Sequence, residues 1–315
     1  MTTAHTANTA KKSAKTSKNK VSKYSKRKVD PAFYWMTVPA VILVSIFLYW
    51  PFLQGAAYSF TNSQGYGNFK FIGLKNYIAM FQDSRVGHAY LFTIFIAILI
   101  TIGTNFLGMF LAVLLNSKIA FKNGFRAIFF IPYTLSVLVI GYVFKCIFMT
   151  PLPAIGQALH IDWLSTSMIS NPDLAWFPIV FLSIWQGVAY STLLYLAGLQ
   201  TIDNEIYEAA AIDGASRWKR VWHITIPGLV PTIVLLTTLA MGNVLNAGFD
   251  QVFNMYNQLV IETGDIIDTY VYRIGITNMQ FSLATAAGLF KSVVSFVLVV
   301  TSYVCAYKFA DYKIF

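Results

Sequence analysis

The sequence has few charged residues for its length. Only 11% of its 315 residues are charged and 57% are hydrophobic, whereas a soluble domain carries about 25% charged residues. Cysteine is also scarce, since Cys146 and Cys305 are the only two and both lie in apolar stretches. This excludes a disulfide framework and a cysteine-rich metal site. The four histidines are scattered without the spacing of metal ligands. The composition is that of a membrane protein.

Several functional motifs are absent from the sequence. It has no Gly-x-x-x-x-Gly-Lys-Ser/Thr loop, so the chain cannot cradle the phosphates of ATP by itself. The apolar runs contain no Ser-His-Asp, His-Glu-x-x-His or paired-carboxylate pattern, which leaves a membrane-embedded enzyme without support. A secondary transporter usually shows an internal repeat or broken helices with intramembrane acids. Neither is evident, although this class stays open as an alternative.

The first thirty residues carry most of the net charge. Nine of them are basic and one, Asp30, is acidic, so this stretch supplies +8 of the total of +10. A stretch rich in Lys, Ser and Thr cannot bury enough apolar surface to offset its ordering entropy. We therefore expect 1–30 to be a disordered tail. Its place directly before an apolar run favours a topology signal or contact with anionic lipid over nucleic-acid binding.

Six apolar stretches are long enough to cross a bilayer, which takes about 20 residues. They lie within 33–60 and at 88–115, 127–150, 175–199, 228–247 and 282–307. Pro39 and Pro51 interrupt the first stretch, and spanning helices tolerate proline where neighbours satisfy the freed carbonyls. The sequence predicts an all-α integral membrane protein with six transmembrane helices in one domain over 31–315.

Basic residues in the connections indicate the orientation, because short cytoplasmic loops carry an excess of Lys and Arg. Besides the tail, such residues follow the second crossing, the fourth crossing and the sixth: Lys118, Lys122, Arg126, Arg217, Lys219, Arg220, Lys308 and Lys313. The connection 151–174 has two acids and no basic residue, as an external loop should. The connection 61–87 has three basic residues and fits less well. We expect both termini in the cytoplasm.

The stretch 203–227 is polar and lies between two apolar runs. Asp203 can cap a helix, and Gly214 suits a left-handed turn at its end. Ser216 can cap a second short helix, so the stretch predicts a helix, a tight turn and a helix. Small side chains on the first helix let a partner surface approach closely, with Glu208 as the one charge among them. Helix physics alone also allows an amphipathic helix that rests on lipid headgroups.

Three motifs in this stretch resemble the EAA loop of the permease subunits of binding-protein-dependent ABC importers: Glu208-Ala209-Ala210, Asp213-Gly214-Ala215 and Ile224-Thr225-Ile226-Pro227. Other segments resemble the carbohydrate-uptake branch of that family, namely FIGLKNY at 71–77, RAIFFIP at 126–132 and YLAGLQTI at 195–202. The likeness covers roughly 33–313.

One segment departs from the pattern of this branch. Where many relatives have Gly-Gly-Pro after FDQVF, this chain reads NMYNQLV at 254–260. That variant is similar to permeases for complex oligosaccharides and argues against a maltose-like substrate.

The resemblance implies a membrane-spanning subunit of an ATP-driven importer in the cytoplasmic membrane of a prokaryote. A second permease would complete the pathway, two ATPase subunits would bind ATP and Mg²⁺, and an extracytoplasmic binding protein would deliver a saccharide. This chain itself would hold no cofactor. In that family the loop sits in a groove of the ATPase subunit, so the coupling residues would be Glu208, Ala209, Ala210, Asp213 and Gly214. An importer of another small solute on the same scaffold remains an alternative.

Polar side chains in or near the last three crossings are candidates for contact with the saccharide. Polar groups in lipid are costly, so they usually face a cavity or a packed neighbour. The candidates are Gln186, Tyr190, Asn243, Asn246, Asp250, Asn254 and Tyr256. The alternative is helix packing for the amides and an interfacial aromatic belt for the tyrosines.

Lys291 is a separate candidate because of its depth in the sixth crossing. At ~1.5 Å per residue it lies about 13 Å inside the outer end, which is too deep to reach the headgroups comfortably. Two interpretations follow. Either it faces the translocation pathway, near Asp250 or an acidic sugar, or it pairs structurally with another helix.

Overall fold

The computed structural model describes residues 31–117, 121–246, 248–255 and 258–310. The predicted tail at 1–30 and the candidate Tyr256 lie outside these ranges. Within them the chain is helical apart from turns, loops and one isolated antiparallel bridge between Thr61 and Phe71. Six described helices can cross a membrane, and we call them the first to sixth spans: Tyr34–Tyr58, Ser84–Asn116, Val137–Ala158, Trp176–Leu199, Arg217–Gly242 and Phe281–Cys305. The prediction of an all-helical fold with six spans is confirmed.

The described chain up to Gly55 and the chain from Ala56 onward form two compact units. In the first unit an α-helix at Pro31–Val44 leads into a π-helical turn at Ser45–Tyr49. There the N–H of Trp50 donates to a carbonyl five residues earlier, directly before Pro51. Because a proline ring clashes with the carbonyl four residues before it in an α-helix, the wider turn lets the helix continue.

In the second unit, the second and fourth spans form the most extensive helix pair. Small residues line their contact, and a Cβ added to Gly108 would lie 2.6 Å from the Cβ of Ser191. Across the same contact the buried Tyr195 hydroxyl donates to Asn105 Oδ1 at 2.7 Å. Close packing and buried hydrogen bonds hold helices together in lipid. This pair is therefore the structural centre of the second unit.

The close approach at Gly108 leads to a stability prediction. We expect Gly108→Ala to lower the free energy of unfolding by about 1–3 kcal/mol, since the methyl group forces the two spans apart. Gly87→Ala is the matched control, because a Cβ there meets nothing within 4 Å. It should stabilise the helix by up to about 1 kcal/mol. Thermal unfolding in detergent measures both variants, and equal melting temperatures would contradict the contact.

Two hydrophobic clusters show which ends of the spans meet. One joins the ends of the second and fourth spans to the fifth: Ala112, Leu115, Tyr195, Leu196, Leu199, Leu229 and Leu236. We call this the basic end, because the fifth span begins there with Arg217, Lys219 and Arg220. The other joins the starts of the second and sixth spans: Met80, Val86, Ala89, Ile267, Tyr270, Ile274, Ala284 and Ala287. We call this the far end.

The third crossing differs from the prediction of a helix over 127–150. A helix at Lys122–Thr134 stops at Leu135, whose backbone is extended, and the third span begins only at Val137. Pro132 removes one backbone N–H from the last turn of that first helix. The third span as a whole runs to Ala158. Within it, the helix Val137–Met149 ends one residue before the predicted end at Thr150, and a short helix at Pro151–Ala158 follows. The predicted start of this crossing is therefore wrong, whereas its predicted end agrees to within one residue.

The fifth crossing also has different bounds from the predicted 228–247. The helix runs from Arg217 to Gly242, so the second short helix expected after Ser216 is the first part of the span itself. A π-helical turn at Val221–Thr225 precedes Pro227 and keeps the helix continuous, as in the first unit. At the other end Asn243 terminates the helix. Asn246 consequently lies beyond the fifth span and not on it.

Short helices connect the spans, and those between the fifth and sixth spans pack into the core. They are Phe249–Met255, Ile261–Gly264 and Ile267–Tyr272, followed by a π-helical turn at Arg273–Thr277. Val252, Ile266 and Ile267 are fully buried. The other connecting helices are Lys75–Gln82, Asp162–Ser165 and Asn204–Ile212, with a 3₁₀ turn at Met168–Ser170. The chain after the fifth span is thus part of the bundle and not a surface loop.

Candidate functional site

The helix Asn204–Ile212 follows the fourth span at the basic end and carries the predicted coupling residues. The Asp203 carboxylate accepts a hydrogen bond from the N–H of Glu205 at 2.9 Å and begins the helix. Such a cap contributes about 1 kcal/mol. Ser216 similarly begins the fifth span, accepting from the N–H of Lys219 at 3.4 Å. Both predicted caps are therefore present.

A glycine turn separates this helix from the fifth span. Gly214 has φ of +75°, in the left-handed region that favours glycine. Its N–H donates to the carbonyl of Ala211 at 3.2 Å, and the N–H of Ala215 donates to Ala210 at 2.9 Å. These two bonds are a Schellman cap. The turn predicted from the sequence is present, and Gly214 provides it.

The outer surface of the helix and turn is open. Glu208, Ala209, Asp213 and Gly214 are exposed, and Ala210 is half-buried. Ala210 lines a shallow groove of about 270 Å³ whose other walls come from the start of the fifth span, namely Ala215, Lys219, Arg220, His223 and Ile224. The described surface thus combines small side chains, the two exposed acids Glu208 and Asp213, and an adjacent basic wall.

One side-chain hydrogen bond fixes this helix to the fifth span. The hydroxyl groups of Tyr207 and Thr225 lie 2.9 Å apart, and Thr225 is buried. Together with the glycine turn, this bond holds Asn204–Ile212 against a helix that continues to Gly242. The short helix is therefore attached to the fifth span at two points, the glycine turn and the Tyr207–Thr225 contact.

Gln186 lies in the middle of the fourth span and is buried, with 7% of its surface exposed. Its amide donates weakly to the carbonyl of Pro132, where the preceding helix ends, at 3.5 Å. Its Oε1 accepts from Gln251 Nε2 at 3.4 Å. Gln186 thus joins the broken third crossing to the helix Phe249–Met255. Gln251 was missed by the sequence analysis, because nothing in its spacing marks it.

Tyr190 lies one helical turn further along the fourth span. Its ring stacks on Tyr133, with centroids 6.0 Å apart and planes 18° apart. Both rings are about half exposed. Tyr133 follows Pro132 at the end of the helix Lys122–Thr134, and it was also missed by the sequence analysis. The two rings form an accessible aromatic surface next to Gln186.

The remaining polar candidates, Asp250 and three asparagines, do not lie together. Asn254 and Asp250 share the helix Phe249–Met255, and the Asn254 amide donates to the Asp250 carbonyl at 2.6 Å. Asn243 bonds to the carbonyl of Leu239 at the end of the fifth span. Asn246 instead approaches the sixth span. The structure thus brings Gln186, Asp250 and Asn254 around one short helix and places the other two amides apart.

Lys291 pairs with another helix. Its Nζ lies 2.5 Å from Asp268 Oδ1 and 2.6 Å from Asn246 Oδ1. The side chains of Lys291 and Asp268 are only 15% and 24% exposed. Of the two interpretations of Lys291, the structural pairing is the one present, and the partner is Asp268 and not Asp250. Asp268 was missed because 23 residues separate it from Lys291.

A second ion pair stabilises the chain before the sixth span. Arg273 pairs with Asp265, which is 8% exposed. Thr269 donates to the same carboxylate at 2.5 Å, and Thr93 of the second span accepts from the N–H of Ile267 at 3.0 Å. Asp265, Thr269 and Arg273 recur every four residues, the helical spacing that could have identified them.

A third polar contact joins this region to the start of the second span. Asp83 accepts from Arg85 at 2.8 Å and from the Tyr270 hydroxyl at 3.0 Å. The hydrogen bond from Arg85 lowers the pKa of Asp83, although burial opposes this, and the Tyr270 bond lowers it further. Because the folded pKa lies below the ordinary value, this contribution to stability is present at neutral pH and is lost as the medium becomes acidic.

Comparisons with known proteins agree with this architecture. Residues 104–309 match the family of binding-protein-dependent transport system inner membrane components. The chain is 38% identical to the multiple sugar-binding transport system permease MsmF of Streptococcus mutans, over 81% of this chain and 89% of MsmF. It is 32% identical to the polygalacturonan/rhamnogalacturonan transport permease YteP of Bacillus subtilis, over 90% and 89% of the two chains.

A solved structure has the same fold. It is a chain of a bacterial alginate ABC transporter in complex with an alginate pentasaccharide-bound periplasmic protein, with a TM-score of 0.78 and 26% identity. The match covers 90% of this chain and 97% of that one. The family model, the sequence relatives and the fold therefore point to one group of proteins. The chain belongs to the binding-protein-dependent transport system inner membrane component family, as a permease of the sugar ABC transporter type.

Proposed function

We propose that this chain is one of two permease subunits of an ATP-driven importer, and that the pair forms the pathway for an oligosaccharide. The observation that carries this proposal is the exposed small-residue helix and glycine turn at the basic end of a sugar-permease fold. Since the sequence has no phosphate-binding loop, ATP and Mg²⁺ belong to two separate ATPase subunits. A binding protein outside the membrane delivers the saccharide.

The proposed orientation places the basic end in the cytoplasm of a prokaryotic cell. Phe129, which shares the helix Lys122–Thr134 with Arg126, packs against the cluster at the basic end, and the fifth span begins there with Arg217–Arg220. Lys and Arg mark the cytoplasmic side. Asp162 and Asp173 lie in the connection at the other side of the bundle. Both termini are then cytoplasmic, and the ATPase subunits meet the helix Asn204–Ile212.

The coupling step follows from the way this helix is attached. Closure of the ATPase subunits on ATP moves Asn204–Ile212 through Glu208 and the flat surface around Ala209. The glycine turn and the Tyr207–Thr225 bond transmit that movement to the fifth span, which is continuous for 26 residues. The far part of the span leads to Asn243 and the helix Phe249–Met255. Movement at the basic end thereby reaches the polar groups near the proposed pathway.

The pathway itself is proposed to run along the Tyr133–Tyr190 surface and the helix Phe249–Met255. Saccharides offer hydroxyl groups and an apolar ring face, which amides and aromatic rings can bind. Gln186 lies one helical turn from Tyr190, and its partner Gln251 lies on the same short helix as Asp250 and Asn254. Lys291 is neutralised by Asp268, so it is not proposed to provide a cationic site for an acidic sugar.

The decisive experiment is ATPase stimulation in the reconstituted transporter with its binding protein. A panel of neutral and acidic oligosaccharides should include one that stimulates turnover well above the sugar-free rate. Stimulation by a non-sugar solute alone would overturn the substrate class while leaving the family intact. Uptake without ATP would instead support a secondary transporter and overturn the proposed role.

The aromatic surface gives a second, local prediction. We expect Tyr133→Ala and Tyr190→Ala each to lower saccharide uptake about fivefold, since stacked aromatic contacts contribute about 1 kcal/mol. Tyr142→Ala is the control, because Tyr142 is 66% exposed on the third span outside this pair. Uptake of labelled saccharide at limiting concentration measures the effect. Equal losses in all three variants would remove the Tyr133–Tyr190 surface from the pathway.

A further inference from the structure

A cavity of about 320 Å³ lies between the third and fourth spans and the short helices that connect them. Its walls include Phe144, Ile147 and Phe148 near the end of the helix Val137–Met149, and Phe177 and Phe181 near the start of the fourth span. Trp163 and Met168, from the connecting segment, line another part of its wall. The fourth span begins at the far end of the bundle, so the cavity lies there too.

The chemistry of the lining excludes a saccharide. The accessible wall is entirely apolar, and a sugar or an ordered water needs several hydrogen-bonding partners. An engineered apolar cavity of about 150 Å³ stays dry and binds benzene. This cavity is about twice as large, so it has room for an apolar group longer than a single ring.

The position of the cavity identifies the apolar group. Both spans that form it are membrane helices. The cavity lies between the end of the helix Val137–Met149 and the start of the fourth span, at the level of one leaflet. Trp163 stands at its edge with 59% of its surface exposed, and indole rings favour the level of the headgroups. Acyl chains of phospholipids are the abundant apolar groups at that depth. We propose that the cavity binds one acyl chain of a membrane phospholipid.

The bound chain completes a hydrophobic cluster that otherwise has a gap on one side. That cluster contains Ile140, Phe148, Met168, Ile169, Leu182 and Met255. Met255 ends the short helix that carries Asp250 and Asn254. The acyl chain thus supports the packing of the third and fourth spans next to the proposed pathway. The inference requires only that the chain spans a membrane, and it does not depend on the transported solute.

Photo-crosslinking can test this site in the membrane-embedded full chain. The probe is phosphatidylglycerol with a diazirine at the end of one acyl chain, and adducts are located by peptide mass spectrometry. Met168 is the reporter, because it lines the cavity and is only 2% exposed. Met80, which is also fully buried but lines no part of this cavity, is the negative control. Phe296, 70% exposed on the sixth span, reports general contact with lipid.

We expect adducts at Met168 and Phe296 but not at Met80. Leu152→Phe and Ile147→Phe each add volume to the cavity wall and should lower labelling of Met168 at least about tenfold, a loss of 1.4 kcal/mol in binding. Phe296 labelling should not change. Two variants are made because either one could fail to fold, and a single folded variant is enough for the test.

Three results would overturn the proposal. Met168 could be labelled no more than Met80, or a folded filled variant could leave its labelling unchanged. The third such result is a loss of Met168 labelling when the partner subunits are co-expressed, because it would show that a protein segment fills the cavity. A saturated phosphatidylcholine probe run in parallel shows whether the headgroup matters. Labelling of Met168 by either lipid supports an acyl-chain site.

Discussion

Glu208→Lys is expected to abolish saccharide uptake while the chain still folds and assembles. Glu208 is exposed on the helix Asn204–Ile212, where the proposed function places a basic residue of the ATPase subunit against it. Disrupting a close charge pair at an interface costs about 2–5 kcal/mol, or roughly 30-fold or more in affinity. Uptake should fall by at least that factor while ATP hydrolysis persists. Labelled-saccharide uptake and phosphate release measure the two activities.

Glu205→Lys is the matched control on the same helix. Glu205 is also exposed, but it lies in the first turn, one turn before the small-residue surface. Its reversal loses a favourable helix-dipole interaction of about 0.3–1 kcal/mol, so uptake should change by less than about fivefold. Full uptake by Glu208→Lys would sink the coupling role. Equal losses of uptake in both variants would show that the helix needs acidic charge in general and that Glu208 has no specific coupling role.

Lys291→Met is expected to destabilise the chain, because it leaves Asp268 partly buried without its cation. Breaking a buried ion pair by removing one partner costs about 3–5 kcal/mol, and the residual exposure of this pair places the effect near the lower value. The melting temperature in detergent should fall by about 5 °C for a chain of this size. Asn246, which accepts from Lys291 at 2.6 Å, also loses its partner.

A double variant separates structural pairing from a role in transport. Asp268→Asn in the Lys291→Met background removes the stranded charge, and replacing a buried pair by neutral groups is often close to neutral. The double variant should therefore recover most of the melting temperature. Lys308→Met is the control, since Lys308 is exposed near the end of the sixth span. Normal stability in Lys291→Met with a selective loss of acidic-saccharide uptake would contradict the structural role.

Local patterns predicted the features that depend on neighbouring residues. The six apolar stretches correspond to six spans because a helix in lipid must satisfy its own backbone hydrogen bonds, whatever its neighbours are. Asp203 and Gly214 begin and end the helix Asn204–Ile212 as predicted. Their effects act within one turn of the chain, which the sequence displays directly.

The same patterns failed where a helix had to be divided or extended. Apolar composition continues across Leu135, so it gave no sign that one helix stops there and another starts at Val137. In the fifth span, polarity before Gly228 hid the fact that the short helix predicted after Ser216 is continuous with the span. Composition describes which surroundings a residue prefers, whereas backbone geometry sets helix ends.

The sequence by itself determined the membrane class, the number of spans and the glycine turn, because each follows from composition or from contacts within one helical turn. Only the tertiary structure decided that Lys291 meets Asp268, that Gln186 joins Pro132 to Gln251, and that Tyr133 stacks on Tyr190. These partners lie on different helices. Which faces of those helices meet depends on how all the spans pack together, and spacing along the chain does not encode that.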